Sequence, residues 1–205
     1  MPTGFKDLSG NQLDALREIG NIGAGNSATA LSQLINRRIE MNVPNVTIVP
    51  LEEVPELVGG PETVVVGVFL RVYGKAPSNI LFLMPQDSAF YLVDTLMGKQ
   101  RGETKSLDFM DQSALMEIGN ILSGAYLNAL FNFTQLALLP SIPALAMDMA
   151  GAILNVVLVQ LGQMGDHALV IETKFISEDD GINGHFFLVP DPGSLETILT
   201  AVGVE

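Results

Sequence analysis

Two Glu-x-x-Asn pairs stand 99 residues apart in this chain: Glu18 with Asn21, and Glu117 with Asn120. Each belongs to a longer pattern, (Asp or Ser)-x3-Glu-x2-Asn-x22-Pro. Asp14, Glu18, Asn21 and Pro44 make it once; Ser113, Glu117, Asn120 and Pro143 make it again. A single pair of this kind arises readily by chance, but the same four-point spacing twice in 205 residues marks a duplicated unit. A carboxylate is a fixed negative acceptor, and an amide both donates and accepts. Such a pair is poorly suited to be a nucleophile. It can hold an ammonium with the carboxylate and orient a water with the amide. Phosphoryl transfer to water needs little more when a metal and a cation are already present.

Both pairs require a helix to set their spacing. At roughly 100° per residue, Glu18, Asn21 and Gly25 fall within about 40° of Asp14 on a helical projection. Leu16, Ile19, Gly23 and Leu34 lie on the other side, so the polar stripe is expected to face water or a partner. Ser113, Glu117, Asn120 and Gly124 form the matching stripe. A glycine four residues beyond each Asn leaves room for another protein's backbone. Gly20, Gly23 and Gly119 read instead as helix-packing positions.

The long helices are expected at Leu8–Arg37 and Leu107–Phe133. Strands are expected at Val46–Pro50, Thr63–Tyr73 and Asn79–Met84, with a short turn or helix at Leu51–Val58 and a helix at Gln86–Met97. In the second half, Ala144–Ala150 takes the short-helix place, with strands at Leu154–Leu161, Leu169–Ile176 and His185–Val189 and a helix at Ser194–Val202. The fold class is therefore α+β, an internally duplicated, pseudo-two-fold unit with one long helix and about three strands per half. The first repeat covers 1–98, a polar linker 99–106 and the second repeat 107–205, the whole forming one compact domain. Pro44 and Pro143 read as ends of the long helices.

Composition narrows the chemistry further. With 48% hydrophobic and 16% charged residues, the chain is built to bury a core. A net charge of −13 disfavours nucleic acid and anionic membrane surfaces. The absence of cysteine removes thiolate chemistry and disulfides. The most apolar stretch, Leu136–Leu161, is broken by Pro140, Pro143 and Asp148 and reads as buried core, short of the uninterrupted run of about 20 residues a membrane helix needs. A soluble, cytoplasmic protein without membrane insertion is the expectation. His167 and His185 lack partners at ligand spacing, so no metal site is expected. The nine Met residues read as core filler, and Glu178-Asp179-Asp180 as a solvated turn.

The doubled motif resembles that of the CheC/CheX/FliY family of chemotaxis phosphatases, whose substrate is the phosphorylated response regulator CheY. The resemblance covers the whole chain, and two intact motifs fit the CheC branch. It implies that Glu18 or Glu117 pairs with the regulator's invariant Lys, while Asn21 or Asn120 positions the water that attacks the aspartyl phosphate. Mg²⁺ would come with CheY, with no cofactor intrinsic to this chain. Asp14 and Ser113 would have a supporting role at most. The resemblance also implies binding of CheD, the receptor deamidase, through a short helix containing Asp148. The alternative is a non-catalytic adaptor or regulator whose main role is to bind CheD, or one that merely docks on CheY.

Overall fold

The structure, a computed structural model, describes residues 8–35, 40–42, 46–161, 167–176 and 181–203. In chain order the elements are α1 (Gly10–Ile35), β1 (Glu40–Asn42), β2 (Val46–Pro50), a 3-10 turn (Leu51–Glu53), α2 (Val54–Leu57), β3 (Val64–Gly74), β4 (Ser78–Pro85) and α3 (Gln86–Met97). The second half follows with α4 (Phe109–Thr134), β5 (Leu138–Pro140), β6 (Ala144–Met149), α5 (Ala150–Leu161), β7 (His167–Ile176), β8 (Gly181–Pro190) and α6 (Ser194–Val202). Among the described residues each half supplies three longer strands, with the three-residue β1 and β5 in addition.

Among the described residues the eight strands form one antiparallel sheet, with the path β1-β7-β8-β4-β3-β5, β2 also on β7 and β6 also on β3. The two hairpins meet at its centre, where Leu81 faces Phe187 and Phe82 faces Phe186. The strands that follow the long helices are exchanged between halves. First-half β2 pairs with second-half β7, Val46 opposite Ile171. Second-half β6 pairs with first-half β3, Val65 opposite Asp148. Neither half closes its own sheet.

Alternation along the strands sends side chains to two cores, a three-layer arrangement. On one face Val66, Val68, Leu70, Ile80, Phe82 and Phe186 pack beneath α1, α3, α4 and α6. On the other, Val65, Leu81, Leu83 and Phe187 meet α2 and α5 through Val54, Ala150, Ile153 and Leu154. Burying side chains of this size is worth about 1.5–3 kcal/mol each. Tyr126 of α4 stacks on Phe186 with ring centroids 4.2 Å apart.

Several expectations are corrected. Ala144–Met149 is a strand and Ala150–Leu161 a helix, the reverse of the sequence reading. A short continuous apolar run has no periodicity to separate strand from helix, and pairing with β3 decides the matter. Asp148 therefore sits on a strand. The Leu136–Leu161 stretch is not uniformly core: Leu139 is 67% exposed, Ile142 90% and Val156 60%. Met97, Met110, Met147 and Met149 are also exposed, so methionine is not simply filler, although Met84 is buried. Leu34, read as part of the apolar side of its helix, is 54% exposed in the last turn of α1. Pro143 does not end α4; Gln135, in a left-handed conformation, caps it, and β5 intervenes. Pro44, Glu178, Asp179 and Asp180 lie outside the described residues.

The 99–106 segment is tied down at both ends. Asp94, buried in α3, accepts from the backbone N–H of Gly102 at 2.7 Å and of Thr104 at 2.9 Å. Burial raises the Asp94 carboxyl, but the hydrogen bonds from Thr104, Gly102 and Glu103 outweigh it and hold its pKa below the usual carboxylate value. Lys99 donates to Asp111 of α4 at 2.7 Å and to the Thr104 hydroxyl at 3.3 Å. The hydrogen bond to Asp111 raises the Lys99 ammonium above its ordinary pKa.

Candidate active site

On α1, Ser9 and Gln12 set the first turn reciprocally: Ser9 N–H donates to the Gln12 side-chain oxygen at 2.8 Å, and Gln12 N–H donates to the Ser9 hydroxyl at 3.4 Å. Leu16, Ile19 and Leu31 are buried. The opposite side carries Asp14, Glu18, Asn21 and Gly25, all exposed. Asp14 pairs with Arg17 one turn on, at 3.2 Å. Both partners are well exposed, so that bridge is worth at most about 1 kcal/mol.

On α4 the first turn is fixed by charge. Asp111 N–H donates to the Asp108 carboxylate at 2.9 Å, and Asp108 N–H donates back to Asp111 at 3.2 Å. Leu115, Ile118 and Leu122 are buried. A Cβ on Gly119 would lie 2.5 Å from a Val68 methyl, so glycine lets this turn seat directly on β3. With that side seated, Glu117 and Asn120 are exposed. Ser113 is half-buried and its hydroxyl donates to the Phe109 carbonyl at 2.8 Å. An added Cβ on Gly25 or Gly124 would meet nothing within 4 Å, so no internal packing demands glycine one turn beyond either Asn.

The second copy also has a wall. Ser113, Met116, Glu117 and Asn120 floor an open groove of about 450 Å³, and Pro140, Ser141, Ile142 and Pro143 flank it. All four members of the second motif thus gather in one place. Ser141 locks the wall to β3: its N–H donates to the Arg71 carbonyl at 2.7 Å, and its hydroxyl accepts from Arg71 N–H at 3.0 Å. The same hydroxyl donates to the Ile142 carbonyl at 3.0 Å. The Arg71 guanidinium in turn forms a two-pronged pair with Asp191 beyond β8, one prong at 2.6 Å. Its hydrogen bond to Asp191 raises the Arg71 pKa. Sequence reading missed Met116, Ser141, Ile142 and Arg71; the recurrence of Pro143 was the one signal that pointed to the wall.

Asp148 is exposed on β6, outside this groove. It lines a separate hollow of about 290 Å³ with Phe69, Leu81, Leu145, Ile153 and Val156. His185 lies on β8 beside Phe187, and His167 opens β7. Among the described residues no group of three or more His, Asp or Glu side chains gathers to hold a metal, and no helix is long and apolar enough to cross a membrane.

Comparison with known proteins places this architecture. The model of the CheC-like family matches residues 12–48 and 110–146, the two motif regions. Over 203 residues the chain is 39% identical to the Bacillus subtilis (strain 168) protein named CheY-P phosphatase CheC, covering 97% of each. The chain belongs to the CheC-like family. The crystal structure of Thermotoga maritima FliY has the same fold, with a TM-score of 0.76 at 18% identity, over 96% of this chain and 98% of that one. A further likeness, with a TM-score of 0.50 at 15% identity over 82% and 96% of the two chains, is to the CheX–CheY–BeF3–Mg²⁺ complex of Borrelia burgdorferi.

Proposed function

We propose that this chain is a CheY-P phosphatase that hydrolyses the aspartyl phosphate by laying the exposed stripe of α1 or α4 across the regulator's phosphorylation site. One observation carries the reading: a chain 39% identical to a CheY-P phosphatase holds a Glu and an Asn one turn apart, facing solvent, on each of two long helices. In each copy the Glu takes the regulator's lysine ammonium, which orients the helix on its substrate. The Asn side chain then holds a water in line with the phosphorus. Fixing one water for in-line attack contributes on the order of 3 kcal/mol, about a hundredfold in rate. In this reading Mg²⁺ is supplied by the regulator rather than by this chain, in keeping with a complex that contains CheX, CheY, BeF3 and Mg²⁺ together. Gly25 and Gly124 support the reading because they leave the partner's backbone space one turn further along.

Binding to CheD belongs to the same proposal, through the hollow beside Asp148 on β6, where Phe69, Ile153 and exposed Val156 add apolar surface. Asp148→Lys should abolish capture of CheD while leaving hydrolysis intact; undiminished capture rejects the assignment.

The test of the main reading is phosphate release from phosphorylated CheY by the wild type and by Asn21→Ala/Asn120→Ala. The double variant should lose the acceleration while its circular dichroism and melting midpoint hold, since both side chains are exposed. Equal rates for the two proteins would turn the chain into an adaptor.

A further inference from the structure

Ile142 is 90% exposed, in the sequence Pro140-Ser141-Ile142-Pro143. An exposed aliphatic residue is ordinary on its own. This one is held on a segment with little freedom. Two prolines fix φ on either side, and the Ser141 hydroxyl is bonded at once to the β3 backbone and to the Ile142 carbonyl. The segment forms the wall of the groove whose floor holds Glu117 and Asn120, with Met116 adding apolar surface beside them.

We propose that Ile142 is a docking residue for phosphorylated CheY at the α4 face, packing against apolar surface of the regulator beside the phosphorylation site. This rests on the reading of Glu117 and Asn120 as a hydrolytic pair. Pre-ordering matters because binding then costs little loop entropy. Continuity with the groove selects the substrate as occupant over a second copy of the chain. Within the groove the apolar surface of Ile142, Met116 and the two prolines is on the order of a few hundred Å², below the roughly 1,200 Å² in total of a stable interface. Phe109 and Met110 lie outside the groove lining. A small rigid anchor beside a polar pair suits a partner that must leave after each turnover.

The experiment measures hydrolysis against the concentration of phosphorylated CheY, using variants that isolate one face. In an Asn21→Ala background, Ile142→Ala should raise KM about tenfold, the size of effect expected for one anchoring side chain, and leave kcat within about twofold. Ile142→Val should restore most of the affinity. In an Asn120→Ala background the same substitution should change nothing. Unchanged KM in the first background overturns the proposal, as does a fall in kcat alone. A shift in sedimentation of the free protein without a KM change overturns it too, in favour of self-association. Full activity in Asn21→Ala/Asn120→Ala would instead sink the hydrolytic reading itself. Because Ile142 is exposed, truncation opens no cavity, and the melting midpoint should not move.

Discussion

The α1 and α4 faces carry the same Glu and Asn at the same helical spacing, in different surroundings. Beside Glu18 stands Arg17, paired with Asp14; the residues 99 further on are Met116 and Ser113, an apolar side chain and a hydroxyl turned back on its own helix. Gly10 and Asn11 at the start of α1 correspond to Phe109 and Met110, which are 78% and 58% exposed. Near the far end, Ser32 corresponds to Phe131, also exposed. The chemistry-bearing residues have been held while their frame has changed. One face carries an added ion pair and the other exposed apolar side chains, so the two should differ in how they grip a substrate more than in what they do to it.

The largest expected effect breaks the comparison at its root. In the phosphate-release assay, Asn120→Ala alone should leave a phosphatase running only on the α1 face, with the salt sensitivity of a charged contact. Asn21→Ala should leave one whose KM responds less to salt, because Glu117 is then its charged contact without an Asp–Arg pair beside it. Matching salt profiles for the two variants would show that the surroundings do not matter.

A smaller effect compares two glycines on α4. Gly119→Ala forces a Cβ to within 2.5 Å of Val68 and should cost about 1–3 kcal/mol in urea denaturation, offset only partly by helix propensity. Gly124→Ala meets no neighbour and should stabilise by up to about 1 kcal/mol. Its activity at the α4 face should nevertheless fall, because the added methyl occupies space reserved for the partner. A Gly124→Ala protein with unaltered kinetics in the Asn21→Ala background would show that the partner's backbone stays clear of that turn.

The smallest effect concerns pH. The α1 first turn is fixed by Ser9 and Gln12, which do not titrate, whereas that of α4 leans on Asp108, Asp111, Lys99 and the Asp94-pinned connector. Asp94 is depressed in the folded state, so its contribution is present above its unfolded value near pH 4 and fades as pH falls through the lower folded one. Lys99 is raised, so its contribution holds below about pH 10.4 and is lost as pH climbs through the higher folded value. Between neutral pH and about pH 3, hydrogen exchange in the first turn of α4 should accelerate more than that of α1, beyond the intrinsic rates. Asp94→Asn should remove most of that difference. Equal acceleration in both turns would show that the Asp94-pinned connector confers no such sensitivity.

Much of this was legible in the sequence because it depends on local periodicity. The duplicated motif, both long helices, the two hairpins and the outward stripe follow from spacing alone, and Leu16, Ile19, Leu115 and Ile118 are buried as that spacing requires. What was not legible depends on which segments meet. Nothing within Val46–Pro50 says that its partner is Leu169 and its neighbours rather than the hairpin next in the chain. The Ala144–Leu161 run was misassigned because both its elements are mostly apolar, with Asp148, Asn155 and Gln160 too few to set a period, and the groove wall was missed because a proline after a helix reads first as a terminator. Exposure of Ile142 is a property of the assembled loop and leaves no mark in composition.

The exchange of β2 and β6 between halves has a consequence for how such a chain can arise and change. A free half would lack the strand that the other half lays on its hairpin, and an identical molecule could supply it. In such a symmetric pair one stretch of gene encodes both working surfaces, and any improvement to one is imposed on the other. Joining the two copies end to end lifts that restriction: Arg17 and Met116, or Asp14 and Ser113, are then separate codons, free to adapt to separate demands within a scaffold that still folds as though they were the same.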